Sequence, residues 1–393
     1  MSHAGASPMN MPKLRFPDFS GAWQRLSLSD VASIFDGTHQ TPIYTESGVK
    51  FLSVENIEEP EASRKFISEL AYNRDFKIKI RPNDILMTRI TAGIIGATAL
   101  IRTSEPLAFY VSLALIRTND IADSRFIEKY IATNQFKREL HKRIIHVAFP
   151  KKINLGDIGK CEVAIPTIPE QQKIAEFLGM VNTRVGLLRR RWEALAAYKK
   201  AMMQLLFART LRFTRSDGSP FPDWQEKRLG EIATIRKGEQ LNRDTLSDEC
   251  EFPVINGGKT ASGYADQWNT EANVITLSEG GNSCGYVDWQ SKRFWLGGHC
   301  YAILPTFSDL SNSFLFQALK STQAAVMRLR VGSGLPNIQK GDLSKLSLGI
   351  PHVEEQQKIA EFLSELDIKI NTLAIQTVAM KRFKKGLLQQ MFV

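Results

Sequence analysis

Cysteine is scarce in this chain. Cys161, Cys250, Cys284 and Cys300 are scattered without paired spacing, which argues against a zinc site or a disulfide framework and fits the reducing cytoplasm. No stretch reaches about 18 consecutive apolar residues, so no membrane span is expected. Met1 to Pro12 has no apolar core of signal-peptide type. The histidines (His3, His39, His141, His146, His299, His352) form no metal-spaced cluster. Gly257-Gly258-Lys259-Thr260 resembles the end of a phosphate-binding loop, but Pro253 stands where its first glycine is required. There is no Asn/Asp-Pro-Pro-aromatic run of the kind that holds an exocyclic amine for methylation, and no clear paired-carboxylate-plus-lysine nuclease core. The expectation is a chain with no catalytic residues, no metal and no cofactor of its own.

What is present is positive charge and apolar residues enough for real cores. The chain has 393 residues, 43% of them hydrophobic, and a formal net charge of +10. That length suggests two or three domains, and that charge is common in chains that meet a polyanion.

An internal repeat organises the rest. Residues 170–178 read Glu-Gln-Gln-Lys-Ile-Ala-Glu-Phe-Leu, and residues 355–363 read the same. Ile165-Pro166 matches Ile350-Pro351 at the same offset of 185, as do Tyr198-Lys199-Lys200 with Phe383-Lys384-Lys385 and Phe207 with Phe392. Near the start of each copy, Trp23-Gln24 matches Trp224-Gln225 at an offset of 201, and Leu14-Arg15-Phe16 resembles Leu211-Arg212-Phe213. The ends agree while the middles differ in sequence and length. A duplicated frame with two divergent centres suits two distinct recognition surfaces.

Each copy opens with a strand-like stretch (Val31–Phe35, Ile232–Arg236). Short β-rich runs bounded by turn residues follow: Val49–Val54, Asp84–Arg89, Ile94–Ile101 and Phe109–Arg117 in the first copy, Val254–Asn256, Asn273–Leu277, Gly285–Trp289 and His299–Leu304 in the second. A shorter helix is expected in each (Arg125–Lys142, Ser311–Arg328), making each body an α+β domain. A long helix then ends each copy, with glutamates in its first turn where the helix dipole favours them. Apolar residues at 4-3-4-3 spacing mark a coiled-coil seam: Ile174, Leu178, Val181, Val185, Leu188, Trp192, Leu195 in one helix, and Ile359, Leu363, Leu366, Ile370, Leu373, Met380, Leu387 in the other. Lys199 and Lys384 interrupt the two seams at matching positions. The simplest partner for each helix is the other, and an antiparallel pair relates the bodies by pseudo-twofold symmetry, as two-half-site reading of DNA requires. The expected organisation is an N-terminal segment 1–22, a first body 23–167, a central helix 168–208, a second body 209–352 and a C-terminal helix 353–393. It also places Leu14 near Phe392, because Leu211 follows Phe207.

Candidate DNA contacts are the basic and amide side chains outside the helices: Arg81, Arg89, Lys151, Lys152 and Asn154 in the first body, Lys259, Arg293, Arg330, Asn337 and Lys340 in the second. Cations neutralise phosphates, while Arg, Asn and Gln can read base edges. Two loops stand at equivalent places before the long helices: Ala148-Phe149-Pro150-Lys151-Lys152-Ile153-Asn154 and Gly332-Ser333-Gly334-Leu335-Pro336-Asn337-Ile338. Their Gly and Pro residues suggest exposed, shaped loops.

Over nearly its whole length the chain resembles the specificity subunits of Type I restriction–modification enzymes. The doubled Ile-Pro-x-x-x-Glu-Gln-Gln-Lys-Ile-Ala-Glu-Phe-Leu, the doubled basic helix end and the doubled Leu-Arg-Phe…Trp-Gln carry the resemblance. It implies two target recognition domains, each reading one half of a bipartite sequence in double-stranded DNA, with the helix pair as ruler for the spacer. It implies two methyltransferase subunits docked around the repeated helix motif (Glu170, Gln171, Gln172 and Glu355, Gln356, Gln357) and two restriction–translocase subunits. S-adenosylmethionine, ATP and Mg2+ would belong to those partners. Two other readings stay open: a target-recognition subunit serving a fused methyltransferase–nuclease, which the sequence separates poorly from the first, and a coiled-coil scaffold that binds no DNA.

Overall fold

The structure, a computed structural model, describes residues 11–332 and 334–392. The chain divides into two compact units. One runs up to Leu188 and takes back the segment from Gln376 onward, and the other is Arg189–Ile375. Both divisions fall inside the long helices Ile168–Phe207 and Val353–Gln390, so each unit holds half of each helix.

The same β-scaffold recurs in the two units. In the first, a four-stranded antiparallel sheet runs in the order Ala32–Asp36, Leu113–Thr118, Ile85–Thr88, Thr98–Leu100. In the second the order is Ala233–Lys237, Cys300–Pro305, Val274–Ser278, Val287–Gln290. Register is preserved to the residue: Ile116 pairs with Ile34 and Ile85, as Ile303 pairs with Ile235 and Ile275. A slip by one residue would turn these isoleucines to the other face of the sheet, so core burial holds the register. Each unit adds a three-stranded mixed sheet (Phe66–Ile67, Val49–Leu52, Leu107–Phe109; Tyr264–Ala265, Phe252–Ile255, Trp295–Leu296).

A further ribbon ties the start of each body to its end. Gln24–Ser27 pairs with Glu162–Ile165, and Gln225–Arg228 with Ser347–Ile350. These strands are short and polar on their outer face, which is why the sequence pattern does not announce them.

The helices expected over 125–142 and 311–328 are each broken. Ser124–Ile131 gives way to Asn134–Arg143 at Thr133, whose hydroxyl accepts from the Phe136 N–H and starts a new helix. Asn312–Ser321 gives way to Gln323–Arg328 at Thr322. The predicted strands over 94–101 and 109–117 shrink to Thr98–Leu100 and Leu113–Thr118, because turns take up the rest.

The long helices meet start to end within each unit. In the first, Ile174, Ala175, Leu178 and Val181 share a core with Leu387, Met391 and Phe392. In the second, Ile359, Ala360, Leu363 and Leu366 share a core with Leu206, with Leu195 packed against it. Each unit therefore packs the two helices antiparallel. Leu188 and Leu373 are also buried, while Val185, Leu195, Ile370 and Met380 are half-buried. Trp192 departs from the expected seam: it is 39% exposed. It lines an open groove of the second unit beside Trp289 and Phe316 instead of a closed helix interface.

Candidate nucleic-acid interface

Two buried latches fix each body to its helix. Glu170 is 1% exposed and accepts two hydrogen bonds from Arg15, both 2.8 Å, and one from Trp23 Nε1. Glu355, at 0%, accepts from Arg212 at 3.1 and 2.9 Å and from Trp224 Nε1. The next residue completes each latch. Gln171 accepts from the Asp123 N–H and donates to the carbonyls of Ile121 and Pro166. Gln356 accepts from the Ser311 N–H and donates to those of Asp309 and Pro351. Four of the six residues expected to dock a partner are thus consumed inside the chain. Of the motif's polar head only Gln172 and Gln357 stay at the surface. Sequence identity between the copies had a packing cause that the motif alone does not reveal.

The latches also join the chain's two ends in the first unit. Leu14 N–H donates to the Gln390 carbonyl at 2.8 Å, as Leu211 N–H donates to the Leu205 carbonyl at 3.1 Å. Phe392 packs on Trp23 and Phe126, with ring centroids 6.2 and 5.3 Å away, as Phe207 packs on Trp224 and Phe314.

Beneath each candidate DNA loop lies an ion pair, and the pair is inverted between the units. Arg89 is 7% exposed. It donates to Asp36 Oδ1 at 2.9 Å and to the carbonyls of Val111 and Ile153. It is therefore part of the frame and not of the surface that could meet DNA. At the matching strand end, Glu279 is 8% exposed and accepts from Lys237 Nζ at 2.7 Å and from the Tyr301 hydroxyl at 3.0 Å. The backbone repeats across the swap: Ile153 N–H donates to the Arg89 carbonyl, and Ile338 N–H to that of Glu279.

Those bonds hold two equivalent loops. In the first unit Ile145 pairs with Lys152, and Lys151–Lys152 pair with Ile90–Thr91, closing a loop with Val147 and Phe149 at its tip. Lys151, Lys152, Lys142 and His146 are exposed around it. In the second unit Val331 pairs with Asn337 and closes the loop that carries Leu335. Ser333 of that loop lies outside the described residues. Arg328, Arg330 and Lys340 are exposed beside it. Asn337 is half-buried, its Oδ1 accepting from Gln339, and Asn154 donates to Asp157 at 3.2 Å.

The remaining candidates lie elsewhere on their units. Arg81 is exposed at a turn whose N–H donates to Asp84. Lys259 sits 5.9 Å from the Tyr286 ring, while Arg293 pairs with Glu271 and lies 4.7 Å from the Trp268 ring. One cluster escaped the sequence reading. Arg102, Arg125, Lys129 and Arg184 line an open groove of about 610 Å³ in the first unit. Arg125 and Lys129 share the helix Ser124–Ile131, whereas Arg184 lies on Ile168–Phe207 and Arg102 follows the strand Thr98–Leu100, so no linear pattern joins all four. Arg125 and Lys129 are already paired with Asp123 and Glu128.

Chemistry at two buried thiols is disfavoured. Burial pushes Cys161 up to about 11 and Cys300 up to about 12, so neither is a thiolate at neutral pH. Among the described residues no group of His, Cys, Asp and Glu side chains could hold a metal ion, and no helix is long and apolar enough to cross a membrane.

The model of the Type I restriction modification DNA specificity domain matches the chain twice, over residues 21–195 and 222–379. The chain belongs to that specificity family. Within it, a protein named as a type I specificity subunit from Mycoplasma pneumoniae is 32% identical over 153 residues, 38% of this chain. That match spans only 40% of the relative's own length. The MjaX specificity subunit of Methanocaldococcus jannaschii is 23% identical over 96% of this chain and 95% of its own. A crystal structure of the S subunit from M. genitalium superposes with a TM-score of 0.73 at 18% identity, covering 98% of this chain and 99% of that one. The specificity-family fold thus extends across both units, although identity to that structure is low.

Proposed function

We propose that this chain is the DNA-specificity subunit of a Type I restriction–modification complex, and that it has no catalytic role. Each unit reads one half of a bipartite target in double-stranded DNA. Two methyltransferase subunits and two restriction–translocase subunits assemble on it and bring S-adenosylmethionine, ATP and Mg2+. The complex works in the cytoplasm.

One observation carries this reading: the same register, latches and loop anchors occur twice, under surfaces that differ. The part repeated in both units fixes geometry, so the divergent part is free to set sequence preference. The net charge of +10 suits the phosphate backbone, which supplies affinity without sequence information.

The test is to express the chain with its methyltransferase subunit and map methylated positions in genomic DNA. The expected result is one bipartite motif with an unread spacer. Exchanging residues 243–335 for the same region of a relative should then alter one half of the motif and leave the other. Random methylation, or none, together with DNA binding indifferent to salt, would overturn the proposal.

A further inference from the structure

The two loop tips carry an expense that the fold does not explain. Phe149 is 92% exposed and Leu335 is 86% exposed. Both precede a proline, Pro150 and Pro336, and both sit on the loop whose next strand-end bond reaches Arg89 or Glu279. The surroundings differ in sequence, in loop length and even in the sign of the charge underneath. An exposed large apolar side chain nevertheless stands before the proline of each loop, four residues ahead of the anchor Ile153 in the first and three ahead of Ile338 in the second. Isolated exposed apolar residues are ordinary on protein surfaces, but these two share a loop type, a following proline and an equivalent anchor.

Neighbouring charge says what these tips face. Lys142, Lys151 and Lys152 flank the first tip, and Arg328, Arg330 and Lys340 flank the second, all exposed. Three exposed cations around each tip suit a polyanion, and a phosphate backbone would be gripped by them. An apolar group held between phosphate contacts meets base edges, and the apolar feature of a base edge in the major groove is the 5-methyl group of thymine.

We infer that Phe149 and Leu335 are base-reading residues, each making apolar contact with a thymine methyl in the half-site of its own unit. This rests on the DNA-specificity reading above. The prolines narrow the loop conformations, so less freedom is lost when a tip enters the groove.

The test uses the full chain assembled with its methyltransferase subunit, and duplexes bearing the motif found by methylation mapping. Each thymine is replaced in turn by uracil, which removes only the methyl group. The intact complex should lose affinity at one thymine in each half-site. Phe149→Ala should weaken binding by about tenfold, the order expected for one lost apolar contact. It should also abolish sensitivity to the uracil in one half-site only, with the salt dependence unchanged. Leu335→Ala should do the same in the other half. Both side chains are exposed, so thermal unfolding should not shift, and the uracil series on the unaltered complex needs no variant at all. Indifference to every uracil substitution overturns the inference, as does loss of the methyltransferase subunit from Phe149→Ala with DNA affinity intact. In either case a retained bipartite motif leaves the specificity reading standing, whereas absence of any motif removes that reading itself.

Discussion

Arg89 and Glu279 occupy the same position in the two units and carry opposite charges. Asp36 faces one and Lys237 the other, at 2.9 and 2.7 Å. A residue whose counterpart bears the reverse charge, buried against its own partner, is serving the frame. Arg89→Glu would set a second carboxylate against Asp36 with the strand end desolvated. Breaking a pair of this burial costs about 3–5 kcal/mol, and the remaining exposure of Asp36 puts the expectation at the lower end. The double substitution Asp36→Lys with Arg89→Glu rebuilds the arrangement of the second unit and should recover most of the loss. A denaturant-unfolding cycle checks this, and purely additive effects would show that the two positions do not interact.

The latches make a second prediction. Glu355→Ala strips the acceptor from Arg212 and Trp224 at once, and Glu170→Ala does so for Arg15 and Trp23. Each should cost on the order of 2–4 kcal/mol, since the guanidinium loses its buried carboxylate and keeps only weaker contacts such as the carbonyls of Ser20 and Gly21 for Arg15 or Phe221 and Pro222 for Arg212. Gln356→Ala and Gln171→Ala should cost less, because each releases neutral backbone partners and no charged group. By contrast Gln172→Ala and Gln357→Ala, exposed in the same motif, should leave unfolding unchanged. Any effect of these two on assembly with the methyltransferase subunit is then an effect on docking.

The bond from Leu14 to the Gln390 carbonyl predicts that the chain's connectivity can be rearranged. Linking Phe392 to Leu14 through residues equivalent to Ala208-Arg209-Thr210, and opening the chain between Phe207 and Leu211, interchanges two junctions of the same geometry. The permuted chain should fold with the circular dichroism spectrum and unfolding midpoint of the original within a few degrees. With the proposed methyltransferase partner it should also methylate the same motif. A soluble but molten product would show that the covalent link after Phe207 does more than the matching contact at Phe392.

How far the sequence reveals this depends on what each feature is made of. The helix pairing was legible because Ile174, Leu178, Ile359 and Leu363 combine heptad spacing with burial, and the duplication was legible because Glu170-Gln171 and Glu355-Gln356 must fit identical sockets. The role of those sockets was not legible, since Arg15 lies 155 residues from Glu170 and no local pattern joins them. For the same reason Arg89 looked like a DNA contact: its partner Asp36 is 53 residues away. Phe149 and Leu335 read as loop residues in sequence, and only their exposure and common anchor single them out. The break at Thr133 was hidden because an apolar helix pattern continues through it.

The two seam lysines, finally, should respond in opposite ways to one substitution. Lys199 is largely buried and bonds to Asp367 at 2.6 Å, whose other oxygen accepts from Gln317 at 2.9 Å. Lys199→Met takes the ammonium from that carboxylate, which keeps its bond from Gln317, and should destabilise by about 1 kcal/mol, the moderate figure reflecting the exposure of Asp367. Lys384, at the matching position, has no ion pair among the described residues. Burial holds its ammonium below the usual lysine range, with Lys129 and Lys137 adding to that effect and Glu128 opposing it. The folded state therefore binds this proton more weakly than the unfolded chain does. The resulting penalty is fully present at neutral pH and fades as pH rises through the depressed folded value toward that of an ordinary lysine. Lys384→Met should accordingly raise the unfolding midpoint at pH 7. The gain over the unaltered chain should shrink in alkaline buffer. A constant gain across pH would assign the effect to packing alone, and a loss at pH 7 would mean that the buried stem and ammonium of Lys384 are stabilising as they stand.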